Sequence, residues 1–338
     1  MSDPSSARKL LAPLTPLYRL ALGARELRLR TGLEPIRRLR FPVISIGNLS
    51  TGGSGKTPLT IALARALIQR GFQVDVLSRG YGRKSSLPVH VRPDGTAEEF
   101  GDEPLLIARE TGLPVYVAQQ RFEAGQLAET DAAAAPTPTE GNPRVHLLDD
   151  GFQHRQLHRD ANILLLDRRD LHDCLLPAGN LREPLSAILR ATILAIPADD
   201  TVLESELKVF GWTGPIWRIR RVMDVPAIDG PVAAFCGIAR PEQFFAGLEA
   251  AGLNLATRVA FPDHHRYTSR ELTDLVSRAR AARATALLTT EKDQVRLGSF
   301  SLSLPLKTVC LSIEIDHADE ALDGLTGQLS RPPASRSL

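Results

Sequence analysis

The chain has 338 residues, 43% apolar and 24% charged, with a formal net charge of +2. That length accommodates a large core and two domains, and the near-balanced charge excludes a generally nucleic-acid-binding protein. Cys174, Cys236 and Cys310 have neither metal nor disulfide spacing, and no run has the roughly 18 apolar residues of a membrane span or the layout of a signal peptide, so a protein made and kept in the cytoplasm is expected.

The charge is unevenly spread. Residues 1–40 hold nine Lys/Arg against three acids, which makes this segment +6 and the remainder −4. Leu10, Leu11, Leu14, Leu17 and Leu20 lay an apolar stripe through it, broken by Pro13 and Pro16 and continued by Ala24 and Leu27, with Arg19, Arg25, Arg28 and Arg30 around it. Such a helix either packs on its own domain or lies in a membrane interface, leucines among acyl chains and guanidinium groups on lipid phosphates.

The apolar run 42–46 reads as a buried strand and 59–68 as an amphipathic helix. Between them, the stretch from Gly47 to Thr57 ends in Gly-Lys-Thr and has the composition and setting of a phosphate-binding loop. Glycines let successive N–H groups and the helix N-terminus face an anion, Lys56 reaches the β- and γ-phosphates, and the Thr57 hydroxyl serves Mg²⁺. The candidate ATP-binding residues are therefore Ser50, Thr51, Gly52, Gly53, Ser54, Gly55, Lys56 and Thr57. The strict pattern asks for glycine where Ser50 stands.

Further strands are predicted near 74–77, 115–118, 145–148, 163–166 and 192–196, alternating with helical stretches. The fold class is thus α/β: a P-loop NTPase-like, mostly parallel sheet flanked by helices, with ligands at the carboxyl ends of the strands. Residues 132–143, rich in Ala, Pro and Thr, read as a surface insertion. The pattern breaks at 202–230, an irregular stretch containing Trp212 and Trp217, which divides a core domain at 41–201 from a smaller C-terminal α/β domain at 231–330. In the latter, strands are predicted near 232–235, 257–260, 286–288 and 309–313, and helices near 241–251 and 268–282. Residues 1–40 form the basic amphipathic segment and 331–338 a tail.

Chemistry concentrates at the strand ends. Asp149 and Asp150 close an apolar strand, the way a phosphate-loop protein offers carboxylates to Mg²⁺ from a second strand, and Gln153 and His154 follow at the same end. Arg79 and Tyr81 sit in Arg-Gly-Tyr-Gly-Arg after the second strand, where arginines near a phosphate loop favour anion binding. Gly101-Asp102-Glu103-Pro104 opens a helical stretch, a position acids also take for the helix dipole. Arg182-Glu183-Pro184 is compatible with a surface ion pair. Phe261-Pro262-Asp263-His264-His265 places an acid beside two histidines at a strand end, suited to proton handling or phosphate binding.

Taken together and in this order, the loop, Arg-Gly-Tyr-Gly-Arg, Gly-Asp-Glu-Pro, Asp-Asp-Gly-Phe-Gln-His, Leu-Arg-Glu-Pro, Phe-Pro-Asp-His-His and Thr290-Glu291-Lys292-Asp293 resemble the tetraacyldisaccharide 4′-kinases of lipid A assembly in Gram-negative bacteria, over residues 10–325. The resemblance implies transfer of the ATP γ-phosphate to the 4′-hydroxyl of an acylated glucosamine disaccharide 1-phosphate. It implies Asp102 as catalytic base with His264 as its partner, Thr57, Glu103 and Asp149 on Mg²⁺, and supporting roles for Asn48, Arg79, Tyr81, Asp150, Gln153, His154, Arg182 and Glu183. ATP and Mg²⁺ are the implied cofactors. The implied partners are the lipid substrate and an anionic membrane surface, with the chain peripheral on the cytoplasmic face of the inner membrane, acting as a monomer and without nucleic acid.

Two rivals share the loop. A membrane-associated ATPase switch that positions other proteins would carry a signature lysine where Thr51 stands. A soluble small-metabolite kinase would leave the basic leucine-rich arm without a use.

Overall fold

Strands covered by helices on both faces must be apolar on both, and the central strands here meet that demand. The computed structural model describes residues 8, 10–134, 142–298, 300 and 302–329. Its strands are β1 (Val43–Asn48), β2 (Gln73–Ser78), β3 (Val89–His90), β4 (Val115–Val117), β5 (Arg144–Asp149), β6 (Ala161–Leu165), β7 (Ile193–Pro197), β8 (Ile216–Asp224), β9 (Val232–Cys236), β10 (Leu255–Ala260), β11 (Ala286–Thr290) and β12 (Leu306–Ile315). They form one sheet in the order β10-β9-β11-β12-β8-β7-β6-β1-β5-β2-β4-β3. Pairing is parallel throughout except β8 with β12 and β3 with β4. Every strand predicted from the alternation is present, displaced by at most a few residues.

The helices are α1 (Thr15–Arg30), α2 (Lys56–Gln69), α3 (Asp102–Thr111), α4 (Arg121–Ala134), α5 (Thr201–Val209), α6 (Pro241–Ala250), α7 (Ser269–Ala281), α8 (Glu291–Leu297) and α9 (Ala318–Leu329), with single helical turns at Ala97–Phe100 and Arg168–Leu171. Leu59, Leu63 and Leu67 of α2 are fully buried in a cluster with Ile44, Ile46 and Leu147. Each such side chain contributes about 1.5–3 kcal/mol, which fixes α2 against β1 and so sets the direction in which its N-terminus points.

The stretch 202–230 departs from expectation, for it holds α5 and the nine-residue β8. β8 pairs in parallel with β7 and antiparallel with β12, so the sheet passes unbroken from the N-terminal to the C-terminal half. Trp217 and Ile219 turn inward while Arg218 and Arg220 face out to Glu204 and Asp316. A strand with one wet face alternates apolar and charged residues, and a search for continuous apolar runs passes over it. The α1 helix rests on the core through Tyr18, Leu22 and Leu29. Of the predicted insertion, 132–134 end α4 and 135–141 lie outside the described residues, as do the tail 331–338 and residues 1–7 and 9. No helix among the described residues is long and apolar enough to cross a membrane.

Candidate active site

The carboxyl ends of β1, β2 and β5 open on a cleft of about 970 Å³, whose opposite wall comes from the C-terminal half. The loop from β1 to α2 forms its floor. Gly52 and Gly55 hold φ of 102° and 93°, a region that L side chains avoid. Gly55 is the N-cap of α2 and offers no capping side chain, which leaves first-turn N–H groups for an anion. Ser50 sits outside the strained part of this loop. It has no positive φ and forms an antiparallel bridge with Leu181, so the Ser50 position needs no glycine.

Beneath the loop, Asn48 accepts from Lys56 Nζ at 3.0 Å and from Arg182. Its own carbonyl accepts from Gln153 Nε2 at 2.7 Å. Asp150, with φ of 47°, is gripped by Arg182 at 3.0 and 3.1 Å and lies 3.5 Å from Lys56. Against the burial that would raise it, these cations hold its carboxyl well below the usual range. Asp149 is the opposite case. It is 1% exposed, its Oδ1 accepts from Thr60 at 3.0 Å, and its Oδ2 has no hydrogen-bond partner. Burial, then the charges of Glu103 and Asp150, push it up to about 7.

A buried carboxyl raised above its unfolded value costs stability at every pH above that unfolded value. Asp149→Asn, which keeps the Thr60 bond, is therefore expected to raise the melting temperature at pH 8 by a few degrees while lowering turnover, the trade of stability for function common at active sites. Thermal unfolding at pH 8 and at pH 5 checks this, with the gain larger at pH 8.

The first turn of α3 carries Asp102 and Glu103, and both meet the C-terminal half. His264 Nδ1 lies 2.9 Å from Asp102 Oδ2, and Arg296 donates to the same oxygen through Nε at 2.9 Å and through Nη2. Asp102 Oδ1 accepts from the Glu103 N–H at 3.0 Å. Against burial, the His264 bond and the charges of Arg296 and Lys292 hold Asp102 far down. The same hydrogen bond to Asp102 raises His264. Both Asp102 oxygens are thus engaged behind an imidazole that lines the cleft. Tyr81 leans on that imidazole, ring centres 5.2 Å apart, and Lys292 pairs with Glu103.

Asn48, Ser50 and Asp102 are buried just behind the cleft surface, and of the remaining sequence-predicted residues all but Glu183 line the cleft itself. Thr51 to Thr57, Arg79, Gln153 and His154 line the cleft, and Arg79 is exposed within it. Glu183 is buried and paired with Arg190, whose guanidinium lies over Phe152. Sequence reasoning missed Arg296, and it singled out Lys292 in the Thr290-Glu291-Lys292-Asp293 run without giving it a role in the site. They lie four residues apart on α8, the spacing of one helix face, but the Glu-Lys-Asp run there gave no helix signal. It also missed Arg121, and Arg221, which donates to the Ser54 carbonyl at 2.6 Å from β8.

Loop, sheet and strand-end carboxylates define a phosphate-loop α/β protein whose nucleotide cradle faces a histidine–aspartate pair across the cleft. The family model for Tetraacyldisaccharide-1-P 4′-kinase (LpxK) matches residues 7–329. The tetraacyldisaccharide 4′-kinase of Koribacter versatilis is 41% identical over 331 residues, covering 94% of this chain and 98% of that protein. The one from Polaromonas naphthalenivorans is 38% identical over 345 residues, covering 97% and 94%. LpxK from Aquifex aeolicus, crystallised in complex with ATP, has 33% identity and a TM-score of 0.74, with 96% of this chain and all of that one covered. The chain belongs to the tetraacyldisaccharide-1-P 4′-kinase family.

Proposed function

We propose that this protein transfers the γ-phosphate of ATP to the 4′-hydroxyl of a tetraacylated glucosamine disaccharide 1-phosphate, giving lipid IV-A in lipid A biosynthesis. The observation that carries the reading is the meeting, in a member of this family, of the phosphate loop with a His264–Asp102 pair assembled from the two halves of the chain. Phosphoryl transfer needs in-line positioning and charge neutralisation above all. The loop N–H groups and Lys56 serve the triphosphate. The acceptor oxygen forms its bond to the γ-phosphorus as the bond to the ADP oxygen breaks, and the hydroxyl proton passes to the dyad. The resemblance implies Asp102 as the base, but both its oxygens are engaged, by His264, Arg296 and the Glu103 N–H. In this reading His264 therefore receives the proton at the cleft, while Asp102 behind holds the ring in place and balances the charge.

Mg²⁺ fits the oxygen donors present. The unpartnered buried Oδ2 of Asp149 and its raised carboxyl are what a cation relieves. Thr57, Glu103 and Asp149 would hold the ion, Glu103 exchanging its Lys292 partner, and the ion would neutralise charge between the β- and γ-phosphates. Magnesium in nucleotide sites commonly takes only one or two carboxylates, with phosphate and water supplying the rest.

The N-terminal segment serves the lipid. Leu10, Leu14, Leu17, Leu20 and Leu27 are between 51% and 82% exposed, with Arg19 and Arg28 exposed among them, while Arg25 donates to the Gln153 carbonyl at the cleft. An outward apolar face with arginines, anchored at the acceptor side of the site, suits a peripheral seat on an anionic bilayer. Removing residues 1–30 is expected to abolish flotation with anionic vesicles and raise KM for the lipid more than KM for ATP. Flotation unchanged from the full chain would refute the membrane assignment.

The activity itself is tested by ATP turnover with the acylated disaccharide 1-phosphate in mixed micelles. Acceptor-dependent transfer of label from γ-³²P-ATP to lipid is expected. ATP hydrolysis indifferent to the acceptor would favour the positioning-ATPase reading instead.

A further inference from the structure

α8 carries a side chain that the proton transfer does not use and that meets both members of the dyad. Arg296 is 5% exposed on its side chain, and it donates to Asp102 Oδ2 through Nε at 2.9 Å and through Nη2. His264 Nδ1 meets that same oxygen at 2.9 Å and lies 3.4 Å from Arg296 Nη2. The third nitrogen, Nη1, donates to the Gly237 carbonyl at 2.6 Å, and this carbonyl also accepts the backbone N–H of His264 at 3.2 Å. One guanidinium therefore grips the carboxylate of the pair and shares an acceptor with the backbone of its imidazole. An ion pair that only joined the two halves would need neither the shared oxygen nor the shared carbonyl.

The seat of Arg296 is itself fixed. Asp293 is fully buried, and its Oδ1 accepts from Arg296 Nη1 at 3.1 Å, from the Gly237 N–H at 3.0 Å and from the Tyr267 hydroxyl at 2.8 Å, while Oδ2 accepts from Thr290 at 2.6 Å. A Cβ on Gly237 would stand 3.1 Å from that same Oδ1 and from the Pro262 carbonyl, so this junction fits glycine closely. A buried network with its oxygens engaged holds one geometry. His264 needs such a hold, since its φ of 57° is one that residues with side chains enter rarely.

The charges around the imidazole oppose one another. It is faced by Asp102 from α3, by Arg296 from α8, by the Tyr81 phenol from the turn after β2, and by Asp263 of its own loop at 3.9 Å. The Asp102 hydrogen bond raises His264, and the Arg296 charge lowers it. Beside a carboxylate that no cation offset, the ring would hold its proton more tightly and be a poorer acceptor for another.

We propose that Arg296, seated on Asp293, is the positioning residue of the dyad: it aims Asp102 at His264 Nδ1 and offsets enough of the carboxylate charge for the imidazole to stand ready as a base. The inference rests on the kinase reading above and deepens it, because the pair has this use only where a hydroxyl proton is taken.

Two readouts on wild type and Arg296→Gln test it. The first is the titration of the His264 imidazole, followed by ¹H–¹⁵N NMR of the full chain labelled at histidine, with His264→Ala identifying the signal. It needs no substrate. In R296Q the midpoint is expected to rise by about one pH unit, the scale on which a charge a few ångströms away acts. The second is the pH profile of lipid phosphorylation. Its acid limb in kcat/KM is expected to move up in R296Q, opposite in direction to Asp102→Asn, with kcat at pH 7 lowered by about 10- to 100-fold and KM for ATP changed by less than about threefold. A midpoint that stays or falls, or a rate lost equally at every pH, would overturn the proposal. If R296Q does not fold, Arg296→Lys decides by the same titration, since one ammonium cannot replace three donating nitrogens. A smaller rise supports the proposal, and a midpoint at or below the wild-type value overturns it. Wild-type protein that phosphorylates no lipid contradicts the kinase reading, and the titration then still decides whether Arg296 sets the basicity of His264.

Discussion

Asp102→Asn and His264→Ala each lower kcat by about 10²–10⁴-fold, the usual worth of a positioned acid–base group. Because the two act as one unit, the double variant is expected to lose little beyond the worse single one. Steady-state kinetics at saturating acceptor, with nucleotide binding checked by titration, make the comparison. The pH profile carries more information than the rate. His264 is raised above its ordinary 6.5 by the Asp102 hydrogen bond. An imidazole must be unprotonated to take the hydroxyl proton, so wild-type kcat/KM falls as pH drops through a value above 6.5. In D102N the bond to a carboxylate is gone, and the acid limb moves to lower pH while the plateau falls. An acid limb that stays put in D102N would remove His264 from the proton path.

Lys56→Ala is expected to lower kcat by about 10²–10³-fold, the scale on which a preorganised charge acts on a transition state. Lys56 occupies the head of α2, 13% exposed on its side chain, with Asn48 and Asp150 as its contacts. Its removal leaves Asp150 still gripped by Arg182 at two oxygens, so the melting temperature shifts by only a few degrees. Lys56→Arg is not expected to rescue the rate, since a planar fork replaces a compact ammonium in a space already bounded by Asn48 and Arg182. Turnover that survives in K56A would mean that the loop holds something other than a triphosphate.

The parts of the fold legible in the sequence were those whose signal is local. β1, β2, β5 and β6 are short apolar runs because both faces are covered, and the Gly-Lys-Thr ending placed the loop between a strand and a helix. β8 was illegible because one of its faces is wet, so Trp217 and Ile219 alternate with Arg218 and Arg220. The continuous sheet followed from β8 and was therefore missed with it. Among site residues, the motif positions with apolar strands before them were readable: Asp149, Asp150, His264. Arg296 was not, because its role depends on Asp102, which lies 194 residues away and reaches it through tertiary packing alone. Arg121 was passed over for a different reason. It belongs to no motif, and only the fold shows that its Nε is buried at the cleft without a partner.

The two acids at the start of α3 illustrate how packing reassigns a local pattern. In sequence they suit a helix dipole. In the structure each is bound by a cation from the other half, Asp102 by Arg296 and Glu103 by Lys292, so the first turn of α3 is where the two halves are joined electrostatically. In the proposed mechanism such a contact would be held for the dyad and exchanged for the cation, which would make α8 a positioning element for the site as well as part of its wall.

The central claim is that the phosphate leaves ATP for one hydroxyl of a lipid. The most direct measurement incubates the purified full chain with ATP, Mg²⁺ and the acylated disaccharide 1-phosphate in micelles and determines by ³¹P–¹H correlation where the new phosphate resides. A second phosphomonoester on the 4′ carbon, absent in D102N, is the expected result. Inorganic phosphate without modified lipid, or a phosphate on any other position, would contradict it.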